Sequence, residues 1–394
     1  MSASEDIPPA LAKAPVSPLA ALAKAPVSPL AALAKAPVSP LAALAKAPVS
    51  PSAALAKAPV SPSAALAKAP APAPLETQPM IALGPVRHAC HSCGTCCTGW
   101  RVQLPTLTER RRVHTQAEEL GIADPIVDGV IRRVDGSCVF LREDKLCAIH
   151  AHFGEAEKPE ICRHFPRRSR HAEDGVRIGA DPGCTSTWKS FADGPLLEMW
   201  PVRTSKASPI ASELAASEHA LLQLRFMPGM TVALYIAVLT GDHSHLPNPG
   251  PEFATRIFMR LSTITPYLGD GDNGPLMNAL LAPLAHFLAT FENAPVPAWN
   301  LPPKADAFAL EVLGRHLFLR LGDDTIPPMA QTLLVLGGIL ACGYIDPTPS
   351  LFGPALSAWS RMCRLEKFWL PALPDRATAE WVLHGAAKVT PPAP

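Results

Sequence analysis

The sequence predicts a mainly α protein. An irregular metal-bound cysteine-cluster domain (75–195) is followed by an all-helical domain (196–394), with a disordered proline-rich arm (1–74) in front. Three observations carry this reading. Fifteen of the 46 prolines fall in the first 74 residues, which hold no aromatic residue and no cysteine. Eight of the ten cysteines crowd between Cys90 and Cys184. Beyond Pro195, apolar residues recur at helical spacing. With 35 basic and 34 acidic residues, the formal charge is +1, which speaks against a strongly basic nucleic-acid binder and against an acidic solvating chain.

The arm consists of tandem eleven-residue units, ALAKAPVSPLA or ALAKAPVSPSA, over residues 10–64, with a further copy starting at Ala65. An eleven-residue period suits a helical supercoil, but each unit carries two prolines, as at Pro15 and Pro18. Each proline removes a backbone donor and drives its predecessor out of helical space. A semi-extended spacer with lysines such as Lys13, Lys24 and Lys35 is expected. Roughly 320 residues remain for folded structure, enough for one large or two modest cores.

In the C-terminal part Ile210, Leu214, Leu221 and Leu224 share a helical face, as do Phe253, Ile257 and Leu261. Leu276, Leu280, Leu284 and Leu288 repeat every four residues, and Leu313, Leu317 and Leu321 continue the pattern. Pro283 is expected to kink its helix. Turn signals at Asn248-Pro249-Gly250 and Asp270-Gly271-Asp272 separate the elements. Cys342 and Cys363 fall within this helical pattern and are expected as small core hydrophobes. Met329 to Ile345 is the most apolar run, but Gln331, Thr332, Gly337 and Gly338 interrupt it, so a buried helix is predicted rather than a membrane span. The acidic start MSASEDIPPA has no basic, apolar leader pattern, and a cytoplasmic, reducing location is expected.

The segment RHACHSCGTCCTGW places Cys90, Cys93, Cys96 and Cys97 within eight residues. A Cys-x-x-Cys turn lets two thiolates face one metal, and Gly94 permits the positive dihedral such a knuckle needs. The triple Cys90, Cys93 and Cys96 repeats the ferredoxin spacing, which points to three corners of an iron–sulfur cluster from one loop. Successive side chains diverge, so Cys96 and Cys97 are expected to serve different sites. Downstream come Cys138, Cys147, Cys162 and Cys184; Cys162 is favoured as the fourth corner because Arg163 and the Arg167, Arg168, Arg170 run would stabilise an anionic cluster. The eight thiols fit one cluster with spare cysteines, or two sites, and zinc remains the alternative metal. His88, His91, His150, His152, His164 and His171 are expected at the surface or behind the ligands.

These residues resemble a known family. CHSCGTCCTGWRVQL, GSCVFLREDKLCAIHAHFGEAEKPEICRHFPR and the late Cys184 are similar to the YkgJ-type cysteine-cluster family of zinc- or iron-chelating proteins, and within it to the flagellin lysine-N-methylase branch. The matching positions are Cys96, Cys97, Gly99, Trp100 and Val102; Cys138, Phe140 and Leu141; Asp144, Leu146, Cys147, Ile149 and His150; Phe153, Gly154 and Glu155; and Cys162, Arg163, Phe165, Pro166 and Arg167. The resemblance implies an iron–sulfur or metal-binding cysteine cluster, and the ferredoxin-like triple makes the [4Fe–4S] kind the expected one. In the methylase branch it also implies methyl transfer from S-adenosylmethionine to lysines of a flagellin-like protein substrate. No Gly-x-Gly turn after a strand marks a dinucleotide-like donor site. The triple also differs from the Cys-x-x-x-Cys-x-x-Cys of radical enzymes.

Two function classes follow. The first is a cluster-dependent protein methylase, in which a carboxylate or histidine accepts the lysine proton; Asp144, Glu155 and His150 are candidates by their place in the matched motif. The second is a non-enzymatic zinc- or iron-chelating protein whose thiolates stabilise a small domain. Neither reading involves nucleic acid or membrane.

Overall fold

The computed structural model describes residues 79–98, 100–198, 212–244, 250–269, 273–292, 299, 301–322 and 326–385. The repeat arm, Gly99, Ile210, and the turn signals Asn248-Pro249 and Asp270-Gly271-Asp272 lie outside the described residues.

Strand β1 (Met80–Ala82) leads into the cysteine-rich loop and its 3-10 turn (Thr95–Cys97), then helix α1 (Leu107–Glu119). Thr106 starts that helix: its hydroxyl accepts from the Glu109 backbone N–H at 3.1 Å, one arm of a capping box. Two short antiparallel hairpins follow, β2 (Ile126–Val127) with β3 (Val130–Ile131), and β4 (Arg133–Val134) with β5 (Ser137–Cys138). Helices α2 (Ala148–Phe153) and α3 (Glu160–His164) precede the hairpin β6 (Arg167–Ala172) and β7 (Gly175–Ala180). A small core of Leu104, Val113, Ala117, Ile131, Phe140 and Ile149 holds this segment together.

The cysteine segment is more regular than expected. Strand β7 is the centre of a three-stranded sheet, parallel to β1 and antiparallel to β6. The Arg167, Arg168, Arg170 run therefore lies on strand β6. Its sequence, RRSRHA, has no apolar alternation, so period-two reasoning had nothing to detect. Strand β7 is buried along its whole length. Within it, Arg177 pairs with Glu218 at 2.5 Å, and Glu218 also takes Arg320 at 2.7 Å. These pairs tie the sheet to the helices behind it.

Those helices are α4 (Thr187–Ser190), α5 (Ser212–Arg225), α6 (Val232–Thr240), α7 (Pro251–Leu261), α8 (Thr265–Leu268), α9 (Pro275–Thr290), α10 (Pro303–Phe318), α11 (Pro328–Ile345), α12 (Pro349–Met362), α13 (Glu366–Trp369) and α14 (Arg376–His384). Proline sits in the first turn of α7 to α12, where its missing N–H leaves no hydrogen bond unmade. Side chains of Thr231 and Asp375 cap α6 and α14. Pro283 lies inside α9, which continues through it.

Helix α11 is the axis of the main core. Among the described residues it is the one helix long and apolar enough to cross a membrane, and 78% of that window is buried in the protein. Gly337 and Gly338 are where its neighbours come closest. A Cβ on Gly338 would stand 2.3 Å from the Trp359 ring, and one on Gly337 would stand 2.4 Å from Leu261. Cys342 and Cys363 are buried in the same core. Trp188, in the turn after Cys184, also joins it and meets Phe308 edge-on at 5.0 Å. The helical layer thereby fixes the last cysteine loop.

Candidate metal centre

Gly94 enters the 3-10 turn with φ of 71°, the left-handed region, and allows the chain to turn both Cys96 and Cys97 the same way. Their sulfurs are 3.9 Å apart. The β4–β5 hairpin brings Cys138 beside them, Cys147 arrives at the N-terminus of α2, and Cys162 lies on α3. These five cysteines line one cavity of about 320 Å³. Its walls are largely apolar, with Trp100, Phe140, Ile149 and Phe165, while Lys158, Arg167 and Arg168 add positive charge.

The electrostatics separate the five. Hydrogen bonding from Cys97 draws the Cys96 thiol down, against burial and with help from Arg361 and Lys158, and Cys97 is pushed up in turn. Burial pushes Cys138 up to about 12 and raises Cys162 as well.

The remaining predicted ligands lie elsewhere. Cys90 is exposed and does not line the cavity. Cys93 is half-buried among hydroxyls, with Thr185 Oγ1 at 3.0 Å and Thr95 Oγ1 at 3.1 Å. Burial opposes ionisation there, yet those hydroxyls and Ser186 bring the thiol down overall. Cys184 is buried within electrostatic reach of Cys93, and burial pushes it to about 12. The expected triple of Cys90, Cys93 and Cys96 is thus not gathered around one point. Cys96 and Cys97, expected to part, line the same cavity, because the tight turn carries both sulfurs to one side.

Other candidates also move. Asp144, Glu155 and His150 are exposed and do not line the cavity, and Asp144 is paired with Arg142 at 2.6 Å. His164 lines it, and burial lowers its pKa, with Arg163 adding to the effect. His88 is buried, and that burial, with Arg315, His91 and Arg167, holds it down at about 4. Arg163 donates to the Ala156 carbonyl at 3.2 Å and does not line the cavity.

Sequence reasoning missed the support behind Trp100. Three guanidiniums, Arg361, Arg364 and Arg168, lie 5.1, 5.3 and 5.6 Å from its ring centre. Asp181, fully buried, accepts from Arg364 Nη1 at 2.9 Å, from Arg168 Nε at 2.8 Å and from the Gly183 N–H at 2.8 Å. Burial alone would raise its pKa, but Arg364 and Arg168 hold the carboxyl far below the usual range. Glu109 also lines the cavity and accepts from the Glu160 N–H at 2.8 Å. Its only sequence signal was the Thr106-x-x-Glu109 capping pattern.

Residues 89–182 match the model of the CxxCxxCC family, described as "Putative zinc- or iron-chelating domain". The match takes in all five cavity cysteines and ends two residues before Cys184. No curated protein and no solved structure matches the chain. Residues 89–182 are therefore a cysteine domain similar to that family's, joined to a helical layer.

Proposed function

We propose that the cavity holds a metal–thiolate centre, and that this centre is an iron–sulfur cluster of the [4Fe–4S] type ligated from among Cys96, Cys97, Cys138, Cys147 and Cys162. The observation that supports it is the convergence of five thiols, from separate segments, on one apolar cavity with cationic groups at its wall. Desolvated thiols such as the half-buried Cys138 resist ionisation unless a metal replaces the proton. Trp100 Nε1 is a buried donor with no acceptor among the described residues, as suits a site built for sulfur or another anionic acceptor.

The donor spacing fits a single metal ion at one pair of thiols and a cluster across the wider ring. Zinc–sulfur bonds of about 2.3 Å in a tetrahedron require sulfurs about 3.8 Å apart. Cys96 and Cys97 meet that at 3.9 Å. Among the described residues no three His, Cys, Asp or Glu donors gather closely enough to hold one ion. An iron–sulfur cluster puts iron and sulfide between its ligands and accepts a wider ring. Protein purified without oxygen is expected to be brown, with iron and sulfide in comparable amounts. Colourless protein carrying zinc and no sulfide would overturn the cluster assignment.

The resemblance to flagellin lysine-N-methylases extends the proposal to methyl transfer from S-adenosylmethionine to lysines of a flagellin-like protein, in the cytoplasm. Its support is the run of matched positions from Cys96 to Arg167. Calorimetric titration of the metal-loaded chain with S-adenosylmethionine tests it. Absence of binding would leave a non-enzymatic chelating protein.

A further inference from the structure

Arg361 stands in the last turn of α12, far beyond the family-matched segment, yet it reaches into the cysteine loops. Its Nε donates to the Gly183 carbonyl at 2.7 Å, and its Nη1 to the Thr95 and Thr98 carbonyls at 2.6 and 3.0 Å. One planar fork therefore clips the turn that carries Cys96 and Cys97 to the loop that precedes Cys184. The Trp100 ring lies 5.1 Å from the guanidinium. A lysine, with one flexible nitrogen, cannot reproduce this arrangement.

Among the described residues no carboxylate forms an ion pair with this side chain. Arg361 is only 6% exposed, and its Nη2 is buried without an acceptor among the described residues. Asp181 is near enough to act on it electrostatically, but that carboxylate is bound by Arg364 and Arg168. The other anionisable groups within reach are the sulfurs of Cys184 and Cys96. A guanidinium taken out of water without an anion is costly, and proteins bury one only when something compensates it.

We propose that a net-negative metal–thiolate centre in the cavity is the counter-ion of Arg361, which makes this helix residue a positioning residue for the centre. The proposal rests on the reading of the cavity as a metal site. A metal centre gathers several thiolates beside Arg361, more negative charge than the free cysteines carry. The helical layer then senses occupancy through one side chain. Removing the metal takes away most of that negative charge and leaves the guanidinium buried.

The test compares full-length wild type, Arg361→Met and Arg361→Lys, purified without oxygen. Metal content is measured first, then thermal unfolding before and after removal of the metal by a chelator. Wild type should lose more on stripping than Arg361→Met, by at least about 4 °C for a unit of this size. Arg361→Lys keeps the charge and should follow wild type. If Arg361→Met yields no soluble protein, Arg361→Gln, which keeps a donor amide and drops the charge, takes its place. Equal losses in wild type and the neutral variant, with metal bound in both, would overturn the counter-ion assignment and leave the metal site standing. Wild type isolated without metal would sink both.

Discussion

Replacing Asp181 with Asn probes the joint between the sheet and the helical layer. The amide keeps the size of the side chain and one acceptor for the Gly183 N–H, but it removes the charge that Arg364 and Arg168 share. The Arg364 side chain is 8% exposed and that of Arg168 is 38% exposed. Arg364 is therefore left as a nearly buried cation, while water screens much of the Arg168 contribution. Breaking a buried pair in this way costs about 3–5 kcal/mol. At roughly 2 °C per kcal/mol for a large unit, the melting temperature should fall by about 6–10 °C. Thermal unfolding followed by circular dichroism at neutral pH reads this directly. Arg168→Gln should cost no more than about 1 kcal/mol, or about 2 °C. The sign with pH is fixed as well. Asp181 has a depressed pKa in the folded state, so its stabilisation is complete above the ordinary carboxylate pKa of about 4 and is lost as pH falls below it. The gap between wild type and Asp181→Asn should narrow under acid. A variant melting within about 1 °C of wild type at neutral pH would refute the counter-charge argument, because a buried pair of this geometry cannot be that cheap to break.

Gly338→Ala should destabilise by about 1–3 kcal/mol, since the added carbon meets the Trp359 ring and overpacking outweighs the better helix propensity. A urea midpoint at or above that of wild type would contradict the close packing of α11 on α12. His316 is buried with its Nε2 at 3.1 Å from the Ser360 carbonyl, and burial, with Arg364, holds it down at about 4. Its depressed pKa stabilises the neutral fold fully above about pH 6.5, and this is lost as pH falls from 6.5 towards 4, on the order of 3 kcal/mol in all. His316→Gln should flatten that part of the stability–pH curve, and an unchanged slope would count against the burial argument. Cys147→Ser and Cys162→Ser should each lower bound metal, while Cys90→Ser should keep it; equal metal content in all three would remove Cys147 and Cys162 from the ligand set.

Local chemistry determined much of this protein directly. The helix starts of α7 to α12 follow from proline in the first turn together with apolar spacing, as at Phe253, Ile257 and Leu261, because both effects act within a few residues. The order of cysteines from Cys90 to Cys162 marked the chelating-type segment for the same reason: a knuckle of thiols is a local object. The interruption of the apolar run by Gly337 and Gly338 was visible too, but its cause was not. Only the folded chain brings Trp359 and Leu261 against them.

What needed the tertiary structure was everything that depends on where distant segments meet. Which thiols share a cavity follows from a turn, a hairpin and two helix starts arriving together, so the evenly spaced Cys90 drops out while Cys97 joins. Strand β6 exists because β7 pairs with it, although RRSRHA has no apolar face of its own. Arg361 lies 266 residues from the Thr95 carbonyl it holds, and no local pattern could announce that bond. Spacing along the chain sets the chemistry a short segment can offer, whereas burial and charge compensation are properties of the volume that the whole chain encloses.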